Sequence, residues 1–183
     1  MEIKNKAQFI EYFSKGTKKS NQLKIGVEHE RFLFEGKSKK RITYLTLKKL
    51  FENLKRSGWQ PINEKENIIG MKRDNQQITT EPGLQCELSG APLENIHQVC
   101  NESSKFLKEI ESASKELDIN TVSIGFDPFN DLSDVPRSPK KRYKIMTNEM
   151  PKGGKQSLEM MYRTCGIQIN YDYTSERNFE KIF

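Results

Sequence analysis

The sequence has 183 residues, of which 34% are hydrophobic and 31% charged, and its formal net charge is +6. This length fits one domain with its own core, and no apolar run approaches the roughly 20 residues of a membrane-spanning helix, so we expect no membrane partner. The basic runs at 18–19, 37–41 and 140–142 lack interleaved aromatic residues, which argues against a nucleic-acid partner. The first two runs predict a solvated lysine surface.

Hydrophobic periodicity predicts alternating helices and strands in the first half of the chain. The second helix has the clearest pattern, because Leu47, Leu50, Phe51 and Leu54 form one apolar stripe before Gly58, a typical C-cap residue. The predicted elements are a helix over about 5–15, a strand over 23–34, a helix over about 44–57, a short strand pair within 59–71 and a strand over 81–92.

The second half opens with the longest predicted helix, which starts at Pro92 and carries a core stripe from Leu93 through Ile96 and Cys100 to Leu117. A β-branched run predicts the next strand, and a stretch rich in proline and aspartate predicts a loop. The elements expected after the helix are a strand over 121–126, a loop over 127–139, a helix carrying Tyr143, Met146 and Met150, a turn over 151–154, a strand over 165–173 and a new helix after 174–176.

The strand over 23–34 separates apolar from acidic side chains. Ile25 and Val27 fall on one parity, whereas Glu28 and Glu30 fall on the other. His29 shares the apolar parity, so a core histidine is favoured over a metal ligand.

The strand over 81–92 has the same design. Leu84 and its alternate neighbours face one side, and Glu81, Gln85 and Glu87 face the other, with no lysine or arginine between them. Taken alone, such a strand is a solvated edge strand. Two strands of this kind favour a bound hard cation, because carboxylates in a row repel one another unless a cation lies between them.

A third strand, over 165–173, repeats the alternation. Ile167, Ile169 and Tyr171 alternate with Gln168 and Asn170, and Thr164 continues the polar parity upstream. Three such strands predict an α+β fold with a mostly antiparallel sheet, helices on its apolar face and a polar trough that binds cations on the other.

Six segments in order along nearly the whole chain carry a family resemblance: IGVEHERF (25–32), ENIIGM (66–71), TTEPGLQCELSGAPLENIHQVC (79–100), IGFDP (124–128), PKKRYKIM (139–146) and MMYRTCGIQINYDY (160–173). They resemble the glutamate–cysteine ligases of the plant and proteobacterial type, within the carboxylate–amine ligases. The resemblance implies a glutamine-synthetase-like catalytic sheet. It also implies ATP-dependent joining of the glutamate γ-carboxylate to the cysteine amine through a γ-glutamyl phosphate, the first step of glutathione synthesis.

The resemblance also implies that the chain is truncated. The family's chains are more than twice as long, and this sequence stops at Phe183 inside a predicted helix. Residues 1–183 are therefore expected to be the N-terminal part of a single catalytic domain, inactive alone.

The chemistry of the implied reaction predicts its metal. ATP must activate a carboxylate before an amine can displace it, and bringing these two anions together calls for Mg²⁺, which prefers carboxylate oxygens. Matched to the family segments, the expected Mg²⁺ ligands are Glu28, Glu30 and Glu87, followed by Glu81.

The substrate residues follow from the same segments. Arg142 matches the position where the family binds glutamate, since a guanidinium group suits a carboxylate. Arg163 is a second catalytic candidate, although its parity also suits a structural cap. The remaining substrate-binding candidates are Tyr143, Thr164, Gln168 and Asn170, and Gly166 stands where the family pattern has a threonine.

Two alternatives stay open at this point. One is a related ligase that uses another amine, and the other is a truncated domain that binds a magnesium–nucleotide complex or serves only as a structural module. The expected partners are L-glutamate, L-cysteine and ATP. Because no signal or transit segment is visible in these residues, we expect a cytosolic protein.

Overall fold

The computed structural model describes residues 2–182, so Met1, and Phe183 at the end of the last predicted helix, lie outside the described residues. Within residues 2–182 every strand pairing is antiparallel. The strands are β1 (Ile25–Glu35), β2 (Gln60–Glu64), β3 (Asn67–Arg73), β4 (Gln76–Thr80), β5 (Cys86–Ser89), β6 (Ile119–Val122) and β7 (Ile167–Tyr171). They form one sheet in the order β2-β3-β4-β5-β1-β6, with β7 also paired to β1.

The helices complete the predicted α+β fold, which is confirmed. None of those within residues 2–182 has the length and the apolar composition to cross a bilayer. They are α1 (Lys6–Ser14), α2 (Tyr44–Leu54), α3 (Ile96–Lys115), α4 (Lys141–Glu149), α5 (Ser157–Arg163) and α6 (Glu176–Ile182).

The main core lies between the sheet and helices α2 and α3. The predicted stripe of α2 is confirmed, since all four of its leucine and phenylalanine residues are buried, and Gly58 caps the following turn at φ 85°. The stripe of α3 contributes Phe106, Ile110 and Ala113 to this core. The sheet contributes Leu33, Met71, Ile78, Cys86 and Leu88 to the same cluster.

Helix α3 starts later than predicted. Asn95, rather than Pro92, caps it, accepting a hydrogen bond from the backbone of Gln98. Ile96 is 58% exposed and Cys100 is also exposed, whereas Val99 between them is buried, so the predicted core stripe is wrong at Ile96 and Cys100.

Two elements were missed and one was placed too far along the chain. Strand β4 carries a single apolar residue, Ile78, and α5 is only seven residues long, so neither offers a clear period. Strand β6 ends at Val122, before the predicted end at Phe126.

The predicted core face of β7 is exposed. Ile167 is 65%, Ile169 46% and Tyr171 48% exposed. Strand β7 pairs with the first half of β1, and all five of its residues are exposed. The alternation of this strand was therefore predicted correctly, but the burial of its apolar face was not.

Candidate functional site

The register of the sheet brings three of the predicted glutamates to one face. Glu30 lies opposite Glu87, and Glu28 lies opposite Ser89, in the antiparallel pairing of β1 with β5. Directly opposed residues share a face, so the Glu28, Glu30 and Glu87 side chains point to the same side. His29 points to the helix side, as predicted, and burial lowers its pKa; its Nε2 has no hydrogen-bond partner within residues 2–182.

Glu81 reaches the same place by a different route from the one predicted. Strand β5 begins only at Cys86, and the residues before it form a turn in which Leu84 has φ 60° and donates its N–H to the Glu81 carbonyl over 2.9 Å. Even so, Glu30, Glu81 and Glu87 each offer a carboxylate oxygen, and these three atoms lie within 4.8 Å of one another. We call these three residues the carboxylate cluster.

Two members of the carboxylate cluster are oriented by donors from distant segments of the chain. The backbone N–H of Gly166 donates to Oε2 of Glu30 over 2.6 Å. The hydroxyl of Tyr143 donates to Oε1 of Glu81 over 2.9 Å. The threonine that the family pattern has in place of Gly166 is therefore not needed to orient Glu30, since the main chain supplies the donor.

Glu87, the third member, is oriented by hydroxyl groups. Ser89 and Thr79 both donate to its Oε1, over 2.6 and 3.2 Å. Glu28, beside the cluster, accepts a weaker bond of 3.4 Å from the amide of Asn170 at its Oε1. Within residues 2–182, hydrogen bonds from protein donors reach only one oxygen of each of the four glutamates, and the other oxygen is free for a ligand.

Burial and mutual repulsion raise the pKa of three of these glutamates. For Glu28, Glu30 and Glu81 burial is the largest cause, and the negative charge of Glu87 adds to it. The Tyr143 hydrogen bond opposes the rise at Glu81 only in part. Without a cation, the charged cluster therefore costs folding free energy near neutral pH.

This cost predicts that Glu81→Gln stabilises the metal-free chain at pH 7. Because the pKa of Glu81 is raised in the folded state, its charged form lowers the free energy of unfolding. This loss of stability is complete at a pH above the folded-state pKa and absent at a pH below the ordinary value of 4.5. Urea unfolding should give a higher midpoint for the variant at pH 7 and no gain near pH 4. The exposed Glu111→Gln serves as control, and a Glu81→Gln midpoint below wild type at pH 7 would contradict the prediction.

Arg142 lies at the rim of the carboxylate cluster. Its Nη2 donates to the Tyr143 hydroxyl over 2.6 Å and lies 3.8 Å from Oε1 of Glu81, while the side chain is 64% exposed. Tyr143 itself is only 2% exposed, and its hydroxyl also contacts the Thr80 carbonyl. Arg142 is therefore accessible to a ligand, whereas Tyr143 supports Arg142 and Glu81 from behind.

Arg163 is placed differently from Arg142. Its guanidinium donates to Glu159 over 2.7 Å and to the Asp127 carbonyl over 3.0 Å, and it stacks 4.5 Å from the Phe126 ring centre. These contacts favour a structural role for Arg163 over a catalytic one. The hydroxyl of Thr164 is likewise used within the protein, since it donates to the Met160 carbonyl.

The polar residues of β7 lie beside Glu28. Gln168 is its cross-strand partner, and the Gln168 amide donates to Asn170 over 3.0 Å. Both are exposed and accessible from solvent. The structure thus brings Gln168 and Asn170 to the predicted face.

Gln85 was predicted on the polar face and is instead buried, with 2% of its surface exposed. Its amide oxygen accepts from Gly83 and its amide nitrogen donates to the Thr164 carbonyl over 3.0 Å. The positive φ of Leu84 interrupts the strand alternation, which turns Gln85 inward. Gln85 therefore joins the turn after Glu81 to the chain segment that orients Glu30.

Arg41 corrects the prediction of a solvated basic surface over 37–41. It is 4% exposed and lies 3.4 Å from the buried carboxylate of Asp127. It also donates to the Gly83 carbonyl and stacks 4.4 Å from the Phe32 ring centre. The contact with Gly83 fixes the turn between Glu81 and β5, and nothing in the basic run distinguished this arginine from its lysine neighbours.

Comparison with known protein families places the chain among ligases. Residues 24–182 match the family described as Glutamate-cysteine ligase family 2 (GCS2), and because they make up most of the chain, the protein belongs to that family. The resemblance read from the six sequence segments is therefore confirmed.

Plant enzymes are among the similar curated proteins. The chain is 42% identical over 179 residues to glutamate–cysteine ligase A, chloroplastic, of Oryza sativa subsp. japonica, covering 97% of the chain and 36% of that protein. It is 41% identical to the chloroplastic enzyme of Medicago truncatula, over 97% of the chain and 35% of the relative, and to that of Arabidopsis thaliana, over 95% and 34%. The chain thus spans about a third of the length of these relatives.

The expected cytosolic location is wrong by the same comparison. These relatives are all named as chloroplastic, which contradicts the expectation. The expectation rested on the absence of a transit segment, and an absence within a chain that spans about a third of its relatives carries no such conclusion.

Proposed function

We propose that the protein to which these residues belong joins the γ-carboxylate of L-glutamate to the amine of L-cysteine at the expense of ATP, the first step of glutathione synthesis. The observation that carries the proposal is the carboxylate cluster with Arg142 at its rim, in a chain of this ligase family. These residues supply the part of the site that carries the carboxylate cluster, and the activity is proposed for the complete enzyme.

The donor set of the cluster fits Mg²⁺. Glu30, Glu81 and Glu87 present hard oxygen ligands, and one oxygen of each is free of protein donors within residues 2–182. Glu28 lies beside them on the same face. When bound, Mg²⁺ supplies the positive charge that lets a triphosphate and a carboxylate approach each other.

The reaction proceeds in two displacements. An oxygen of the glutamate γ-carboxylate attacks the γ-phosphorus of ATP and ADP leaves, which gives the γ-glutamyl phosphate. The cysteine nitrogen then attacks the acyl carbon, inorganic phosphate leaves, and the amine loses a proton. Arg142 suits the α-carboxylate of glutamate, because an exposed guanidinium offers two parallel donors.

A chimera tests the function directly. The chain would replace the 179 aligned residues of the rice relative, and ATP- and glutamate-dependent phosphate release would be measured across a panel of amines. We expect release with cysteine above all other amines. Release with a different amine would identify a related ligase, and no release from a folded chimera would overturn the proposal.

Arg142→Lys in this chimera is expected to raise the KM for glutamate by about tenfold or more, because lysine cannot reproduce the two-pronged contact with a carboxylate. The KM for ATP should barely change. Arg177→Lys, an exposed arginine on α6, is the matched control. An unchanged glutamate KM would assign that contact to another residue.

A further inference from the structure

The two hydroxyl groups at Glu87 have no role in the reaction as proposed. Ser89 follows Glu87 by two residues on β5, and Thr79 is the register partner of Glu87 on β4, so the three side chains share one face. Both hydroxyls donate to the same atom, Oε1 of Glu87. The two oxygens of Glu87 therefore differ: Oε1 accepts two hydrogen bonds, and Oε2 accepts none from a donor within residues 2–182.

Two donors saturate a carboxylate oxygen. Each oxygen has two lone pairs, so Oε1 of Glu87 has none left for a cation, whereas both lone pairs of Oε2 stay available. A cation beside Glu87 therefore meets a single ligand atom. Binding through both oxygens at once would require the Ser89 and Thr79 hydrogen bonds to break.

We propose that Ser89 and Thr79 determine cation specificity, because they restrict Glu87 to binding through one oxygen and thereby favour Mg²⁺ over Ca²⁺. Mg²⁺ takes about six ligands in octahedral geometry, whereas Ca²⁺ takes roughly six to eight and readily accepts both oxygens of one carboxylate. Saturating Oε1 leaves the Mg²⁺ contact intact and removes an oxygen that Ca²⁺ would use. This inference rests on the metal site of the proposed function.

Three variants distinguish the effect of losing the two hydroxyl donors from the effect of altering side-chain shape or substituting a threonine elsewhere in the sheet. The double variant Ser89→Ala, Thr79→Val removes both donors and retains the β-branched shape at position 79. Thr79→Ser retains both donors. Thr121→Val is the matched control, because Thr121 lies on β6 opposite Leu33, on the helix side of the sheet.

The test is calorimetric titration of the rice chimera with MgCl₂ and with CaCl₂ at one ionic strength. In the double variant we expect the ratio of Mg²⁺ to Ca²⁺ affinity to fall by about tenfold, a change typical of losing the hydrogen bonds that orient a metal ligand. Thr79→Ser and Thr121→Val should retain the wild-type ratio. Ser89→Ala alone, which removes the shorter bond, replaces the double variant if thermal unfolding shows that the latter has lost its fold.

The outcomes separate this inference from the function on which it rests. A wild-type ratio in a folded double variant that still binds Mg²⁺ would overturn the specificity role and leave the metal site standing. If the chimera with the wild-type chain binds neither cation, the metal site and the specificity role are overturned together.

Discussion

Glu87→Gln is expected to lower the turnover of the rice chimera by more than about 100-fold, because the variant retains the shape of the side chain and removes the charge of a proposed metal ligand. Its fold should persist, since the variant removes a negative charge that repels Glu28, Glu30 and Glu81. Phosphate release, measured over a range of Mg²⁺ concentrations, should recover in part at the highest ones.

Glu111→Gln is the control for this variant, because Glu111 is an exposed glutamate on α3. Wild-type turnover of Glu87→Gln at every Mg²⁺ concentration would show that Glu87 is only a solvated strand residue. That result would remove the connection between β5 and catalysis.

Asp127→Ala is expected to destabilise the chain by about 3–5 kcal/mol, because it leaves the Arg41 guanidinium buried without its counter-charge. It also removes the acceptor for the backbone N–H groups of Phe129 and Asn130. Urea unfolding followed by far-UV circular dichroism measures the change. Asp131→Ala, an exposed neighbour, should cost about 0.5 kcal/mol or less, and equal costs for the two variants would contradict the role given to the Arg41–Asp127 pair.

The face on which the strand glutamates lie was predictable because side-chain alternation is a local property of a strand. Glu28 and Glu30 needed only the period of two, and their meeting with Glu87 needed only that β1 and β5 pair. The apolar stripe of α2 was predictable for the same reason. Where the hydrophobic pattern is periodic and a neighbouring element buries one face, the sequence alone predicts which way the side chains point.

The features that the sequence did not predict depend on contacts that local patterns do not encode. Arg41 and Asp127 are 86 residues apart, and no local pattern marks either as one half of a buried pair. Gln85 was misplaced because Leu84, which is not a glycine, adopts a positive φ that breaks the alternation. The exposure of Ile169 on β7 depends on which helices cover that edge of the sheet, and periodicity carries no information on that.

Strand β1 is shared by three partners: β5 beside its centre, β7 along its first half and β6 along its second. Inserting or deleting one residue before Glu28 within this strand would exchange its two faces, moving Glu28 and Glu30 towards the helices and His29 towards the cluster. A change of two residues would restore the faces and shift the pairing instead. In an alignment of related chains, a gap of odd length in β1 therefore marks an alignment error or a lost site.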